Sequence, residues 1–134
     1  ESDMQMKKDL LTDFIAYHNR NPDIYRLFIK YAGEVSGAGR SNYSARIIIE
    51  RIRWHMAVET KSIDEFKIND HHVPFYARMF MYDHPEMENF FELRCAQWEN
   101  EFMQWLDMDR RDQLGFVFKA TKSRTALPGG NAEG

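Results

Sequence analysis

Only one cysteine, Cys95, occurs among the 134 residues, so an intramolecular disulfide is impossible. That excludes the cross-linked framework of a small secreted domain and favours a reducing compartment. No run reaches the roughly 18 apolar residues of a membrane span. The opening Glu-Ser-Asp-Met-Gln-Met-Lys-Lys lacks a signal peptide's apolar stretch. A cytoplasmic protein without a membrane partner is expected. The chain starts with Glu, from which removal of an upstream piece is also expected.

Catalytic and cofactor signatures are equally scarce. There is no Gly-x-x-x-x-Gly-Lys-Ser/Thr or Gly-x-Gly-x-x-Gly phosphate cradle, no His-Glu-x-x-His and no paired-cysteine metal pattern. Ser, His and Asp occur without a nucleophile signature. The expectation is therefore a protein that is not an enzyme, with no cofactor and no metal. A net charge of −3 argues against indiscriminate coating of nucleic acid, which depends on Lys and Arg neutralising phosphates.

What is present is apolar and aromatic. A chain of this length with 43% hydrophobic and 14% aromatic residues can bury a core unaided, and one domain is expected over residues 1–118. The tail from Lys119 to Gly134, with Pro128-Gly129-Gly130, reads as disordered.

Helical periodicity dominates. Leu10, Leu11, Phe14, Ile15 and His18 give an amphipathic helix over residues 4–19. Asn21 and Pro22 suit the N-cap and first position of a second helix, whose stripe is Ile24, Leu27, Phe28, Tyr31 and Val35. Ser36-Gly37-Ala38-Gly39 should end it. Ser44 can cap a third helix with Ala45, Ile48, Ile49, Ile52 and Met56 inward.

Phe66 to Asn69 alternates as a short strand or hairpin would, and a small hairpin is expected near Ile63 to Asn69. A fourth helix begins between Asp70 and Val73, tolerates Pro74 and stops at His84-Pro85. Met87, Phe91, Cys95, Trp98, Phe102 and Trp105 then predict a long acidic helix from Glu86 to Asp112, with Cys95 an inert core residue and Gly115 marking the end. The fold class expected is mainly α, a compact bundle of about five helices, with a small hairpin as a winged helix-turn-helix-like variant.

Two helices joined by a Gly-containing turn form the framework of helix-turn-helix DNA readers. Here Arg40, Asn42, Ser44 and Arg46 line the entrance of the third helix, and Arg51 and Arg53 extend the positive charge. Arginines would position phosphates while Asn42, Ser44 and Arg46 reach bases. The competing reading is a plain helical hairpin with those arginines solvated or paired with the acidic helix. The linker from Gly37 to Tyr43 is also longer than a tight turn.

Asp70-His71-His72, Asp83-His84 and His55 offer metal-ligand types. Adjacent histidines on a helix point about 100° apart, so surface or capping roles are preferred. Trp98, Phe102 and Trp105 read as core, although their acidic helix could face a basic partner.

Arg40-Ser-Asn-Tyr-Ser-Ala-Arg46, Glu50-Arg-Ile-Arg-Trp-His55, Phe66-Lys-Ile-Asn69, Tyr76-Ala-Arg-Met-Phe80 and Phe90-Phe-Glu-Leu-Arg94 together resemble small uncharacterised proteins of bacteriophages and prophages, over Asn21 to Arg94. The resemblance implies a bacterial host cytoplasm and no catalytic activity. It points to two roles: binding DNA, which leads, or inhibiting a host protein through an acidic or aromatic patch. It does not fix an oligomeric state.

Overall fold

The structure, a computed structural model, describes residues 2–60 and 67–125, with side chains for residues 9–60 and 67–114. Its described residues are mainly helical. The five α-helices are α1 (Ser2–Arg20), α2 (Pro22–Gly37), α3 (Ala45–Trp54), α4 (Val73–Asp83) and α5 (Glu99–Thr125). Chain contacts divide them between two compact units, Glu1–Trp98 and Glu99–Gly134. No described helix is long and apolar enough to cross a membrane.

Pro22 opens α2 and Asn21 holds its N-cap position as expected, but the Asn21 side chain makes no capping bond to α2. Its side-chain amide and its backbone N–H both donate to the Tyr17 carbonyl, at 3.0 and 2.9 Å, so Asn21 also closes α1. α2 ends in a Schellman motif. Gly39 takes φ +88°, its N–H reaches the Ser36 carbonyl at 2.9 Å, and the Arg40 N–H reaches Val35 at 3.3 Å. Only glycine adopts that backbone conformation at little cost.

α3 buries Ala45, Ile48, Ile49 and Ile52 against α2 and α4. It passes into a π turn at His55–Glu59, closed by the Thr60 N–H on the His55 carbonyl at 3.0 Å.

α4 lies at the centre of the first unit. Val73, Phe75, Tyr76, Ala77, Arg78, Met79 and Phe80 are all buried, so no stripe separates an inner from an outer face. A helix apolar all round belongs inside a core. Phe14 of α1 stacks on Phe75 at 4.7 Å and meets Tyr76 edge-on at 4.9 Å. Phe28 of α2 lies 5.8 Å from Tyr76, and the Tyr25 hydroxyl donates to Asp83 at 2.6 Å.

Three expectations need correction. The helix from Glu86 to Asp112 begins only at Glu99, after a 3-10 turn at Pro85–Met87 and an irregular stretch. Phe90 and Phe91 are both buried, Phe91 lying 5.4 Å from Phe28 and 5.6 Å from Phe80. The Phe90 carbonyl accepts from the Tyr43 N–H at 2.7 Å, and the Arg94 carbonyl accepts from Arg78 at 2.5 Å. Tertiary partners thus hold backbone groups that a helix would have used. Cys95, expected in the core, lies exposed on this stretch.

The hairpin expected near residues 63–69 lies largely outside the described residues, which omit 61–66; residues 67–69 form no ladder. Their carbonyls face side chains instead: Lys67 accepts from the Tyr17 hydroxyl at 2.9 Å and Ile68 from Arg53 at 2.6 Å. The isolated parallel bridge among the described residues joins Tyr43 to Phe91.

Gly115 does not end α5; the helix continues to Thr125, so the expected tail starts in helix and its residues 126–134 lie outside the described ones.

Candidate functional site

The α2–turn–α3 unit carries all six residues picked out for nucleic-acid contact. Four gather at the start of α3. Arg40 is exposed and lines a hollow of ≈490 Å³ with Ser36, Asn42, Glu86 and Glu88. Asn42 adopts the left-handed conformation, φ +51°, which asparagine tolerates better than most residues. Ser44 occupies the N-cap in an extended conformation, but its hydroxyl makes no capping bond. Asn42, Ser44 and Arg46 border a second hollow of ≈330 Å³ together with Asp70 and Glu92, so its charge is mixed.

The remaining arginines are held by carboxylates. Arg46 meets Asp70 at 3.3 Å. Arg51 makes a bidentate pair with Glu59, both bonds 3.1 Å, and lies over the Tyr31 ring at 4.4 Å. Arg53 bonds Glu50 at 2.7 Å, Asp70 at 2.8 Å and the Ile68 carbonyl at 2.6 Å. Planar guanidinium forks suit such carboxylate pairs.

The electrostatics follow the contacts. The hydrogen bond from Arg53 holds the Asp70 carboxyl below its usual range. His55, then Arg51, do the same for Glu59. Both guanidinium groups are raised in turn, Arg51 chiefly by Glu59 and Arg53 chiefly by Asp70. The partners are Glu50, Glu59 and Asp70, not the acidic helix that sequence reasoning nominated. Arg51 and Arg53, two positions apart, also project roughly 200° apart around the axis and share no face.

Between these charges runs a feature missed in the sequence. Ile47, Trp54 and Val58 are 51%, 58% and 49% exposed. Ile47 and Trp54, seven residues apart, lie about 20° apart around the helix, on the side opposite Ile48, Ile49 and Ile52. Arg51 flanks the stripe on one side and Glu50 on the other. The signal was there, two large apolar residues one heptad apart opposite the inward stripe, but it was hidden within Ile47-Ile48-Ile49.

The histidines have local surroundings. His72 is buried, 3% exposed, with Phe14 edge-on at 5.5 Å, Tyr17 at 5.4 Å and Phe75 at 6.3 Å. Neither of its ring nitrogens has a hydrogen-bond partner among the described residues, and burial lowers its pKa. The His84 ring closes α4 on the Phe80 carbonyl at 2.8 Å. His55 contacts Glu59 at 2.8 Å. Among the described residues, no three His, Cys, Asp or Glu side chains are grouped to hold a metal ion.

In the second unit, α5 partly neutralises its own acids. Asp109 pairs with Arg110 at 2.6 Å and accepts from Gln113 at 2.9 Å, while Asp107 meets Arg111 at 3.8 Å. No family model, curated protein or solved structure matches the chain.

Proposed function

We propose that this protein is a protein-interaction module that docks through the outer face of α3. The observation carrying this reading is the Ile47–Trp54–Val58 stripe, left half open to water on a helix whose other face supplies the core. Large apolar residues left exposed on one helix face and rimmed by charge mark interaction surfaces, and tryptophan anchors them disproportionately. The docking element on this reading is α3, not the acidic face of α5.

Of the four arginines picked out for phosphate contact, Arg46, Arg51 and Arg53 already have carboxylate partners. A phosphate backbone would have to displace those carboxylates or tolerate their charge. A second reading, DNA contact at the turn before α3, is favoured by Arg40, which is exposed and makes no ion pair among the described residues.

A photocrosslinking aromatic amino acid at position 54 tests the docking reading in the producing cells. Position 26, on exposed Arg26 paired with Asp23, serves as control. The reading expects a discrete protein adduct from position 54, none from position 26, and loss of the adduct when Val58→Lys is added. No adduct from position 54 would contradict it.

A further inference from the structure

Charge around the stripe narrows the choice of partner. Arg51 and Glu59 stand eight residues apart and symmetrically about His55, bonded to each other beside Trp54. The opposite side presents Glu50 with Arg53, and Asp70 with Arg46. Each flank therefore carries both signs in near balance, unlike a surface built for a strongly acidic or basic partner.

A two-fold axis beside His55, perpendicular to α3, brings two copies of the helix together antiparallel. Such an axis sets each flank against the same flank of the other copy, reversed in direction. Residue 51 of one chain then falls opposite residue 59 of its partner, a cation facing an anion at both ends. Trp54, next to the axis, meets the partner's Trp54, and Val58 covers the partner's Arg51 stem. An isologous contact needs this kind of self-complementarity.

We infer that the partner docked on α3 is a second copy of this chain, held by the Trp54 and Val58 stripe and by exchange of Arg51 and Glu59 between the two copies. The inference rests on the docking reading and specifies its partner. Forming the dimer redistributes existing ion pairs, so no charge loses its counterion. The buried gain is the apolar stripe itself. Orientation comes from the same charges, because a parallel two-fold would set the Arg51 and Glu59 flank against the opposite flank of the partner and forfeit their exchange.

Light scattering coupled to size exclusion, on the full chain over a wide concentration range, reads the result directly. Wild type should tend to twice the 16.0 kDa chain mass. Trp54→Glu and Val58→Lys should each remain at the single-chain mass with an unchanged helical circular dichroism spectrum. The most specific arm mixes two charge reversals, Arg51→Glu and Glu59→Arg. Each alone sets like charges across the axis and should be monomeric, while an equimolar mixture should form a 1:1 heterodimer.

A wild type that stays monomeric up to millimolar concentration overturns the inference. So does a dimer unaffected by Trp54→Glu and Val58→Lys, or a mixture that fails to pair although both reversal variants are folded. The photocrosslink separates this failure from that of the docking reading. An adduct with a different protein leaves the reading standing and removes the second copy, whereas no adduct removes both.

Discussion

α3 and α4 are neighbours of similar length, α4 the more apolar, and they treat charge and aromatic area in opposite ways. α4 buries Val73 and every residue from Phe75 to Phe80, including Arg78, which is 6% exposed. That guanidinium donates to the Arg94 carbonyl at 2.5 Å and to Pro74 at 3.3 Å and lies over the Trp98 ring at 4.9 Å. α3 does the reverse, leaving Trp54 in water and pairing its arginines near the surface. An arginine enclosed by carbonyls and a ring is part of the core. A tryptophan left outside among balanced ion pairs is available for a partner.

The contrast can be broken most forcefully at the aromatic centre. Phe75 stacks on Phe14 at 4.7 Å and on Trp98 at 3.8 Å. Phe75→Ala should cost about 3–5 kcal/mol in urea denaturation, because transfer and cavity terms add. Trp54→Ala removes a larger ring from α3, yet at concentrations low enough for single chains should change stability by less than about 0.5 kcal/mol.

Next is Arg78→Ala, which leaves the Arg94 carbonyl without its charged donor inside the unit. A loss of roughly 3 kcal/mol is expected. Arg46→Ala, measured the same way, should barely move the midpoint, since exposed pairs contribute little.

A pH series sharpens the comparison further. Burial lowers the His72 pKa below its ordinary value of about 6.5, so the folded chain binds fewer protons at this site than the unfolded one. The stabilisation is fully present above pH 6.5 and is lost as pH falls through 6.5 towards the lowered folded value. Asp13 opposes the shift and His71 reinforces it. Denaturation midpoints at pH 7.5 and 5 should differ for wild type, and the His72→Leu variant should show a smaller difference.

The smallest effect is expected at Tyr76, fully buried with no hydrogen-bond partner for its hydroxyl among the described residues. Burial also raises its pKa. Tyr76→Phe should be neutral or stabilising by up to about 1 kcal/mol, since it removes an unsatisfied polar atom and little else. A loss above that size would mean that the hydroxyl has a partner in solution.

Local chemistry explains which parts were legible in the sequence. The Gly37–Gly39 stop, Pro22 at the head of α2 and Pro74 in the first turn of α4 depend on backbone preferences of single residues, and each falls where those preferences put it. Glu86 to Trp98 was misread because Met87, Phe91, Cys95 and Trp98 mimic helical spacing. What overrides that pattern is distant in sequence: Tyr43 and Arg78 capture its carbonyls. The candidate site followed the same division. The positions of Arg40, Asn42, Ser44 and Arg46 at the head of α3 were legible, but the carboxylates that hold Arg46, Arg51 and Arg53 depend on tertiary folding and on the π turn that brings Glu59 back to Arg51.

The central claim is that the arginines of α3 are committed to carboxylates and that its exposed face serves protein contact. Fluorescence anisotropy with mixed-sequence duplex DNA, across a salt series, tests it most directly against an Arg46→Ala, Arg51→Ala, Arg53→Ala variant. The account predicts no saturable binding by wild type even at low salt, and no difference between the two proteins. Tight binding that weakens steeply with salt and disappears in the variant would contradict it, because those three side chains would then be free to hold phosphates.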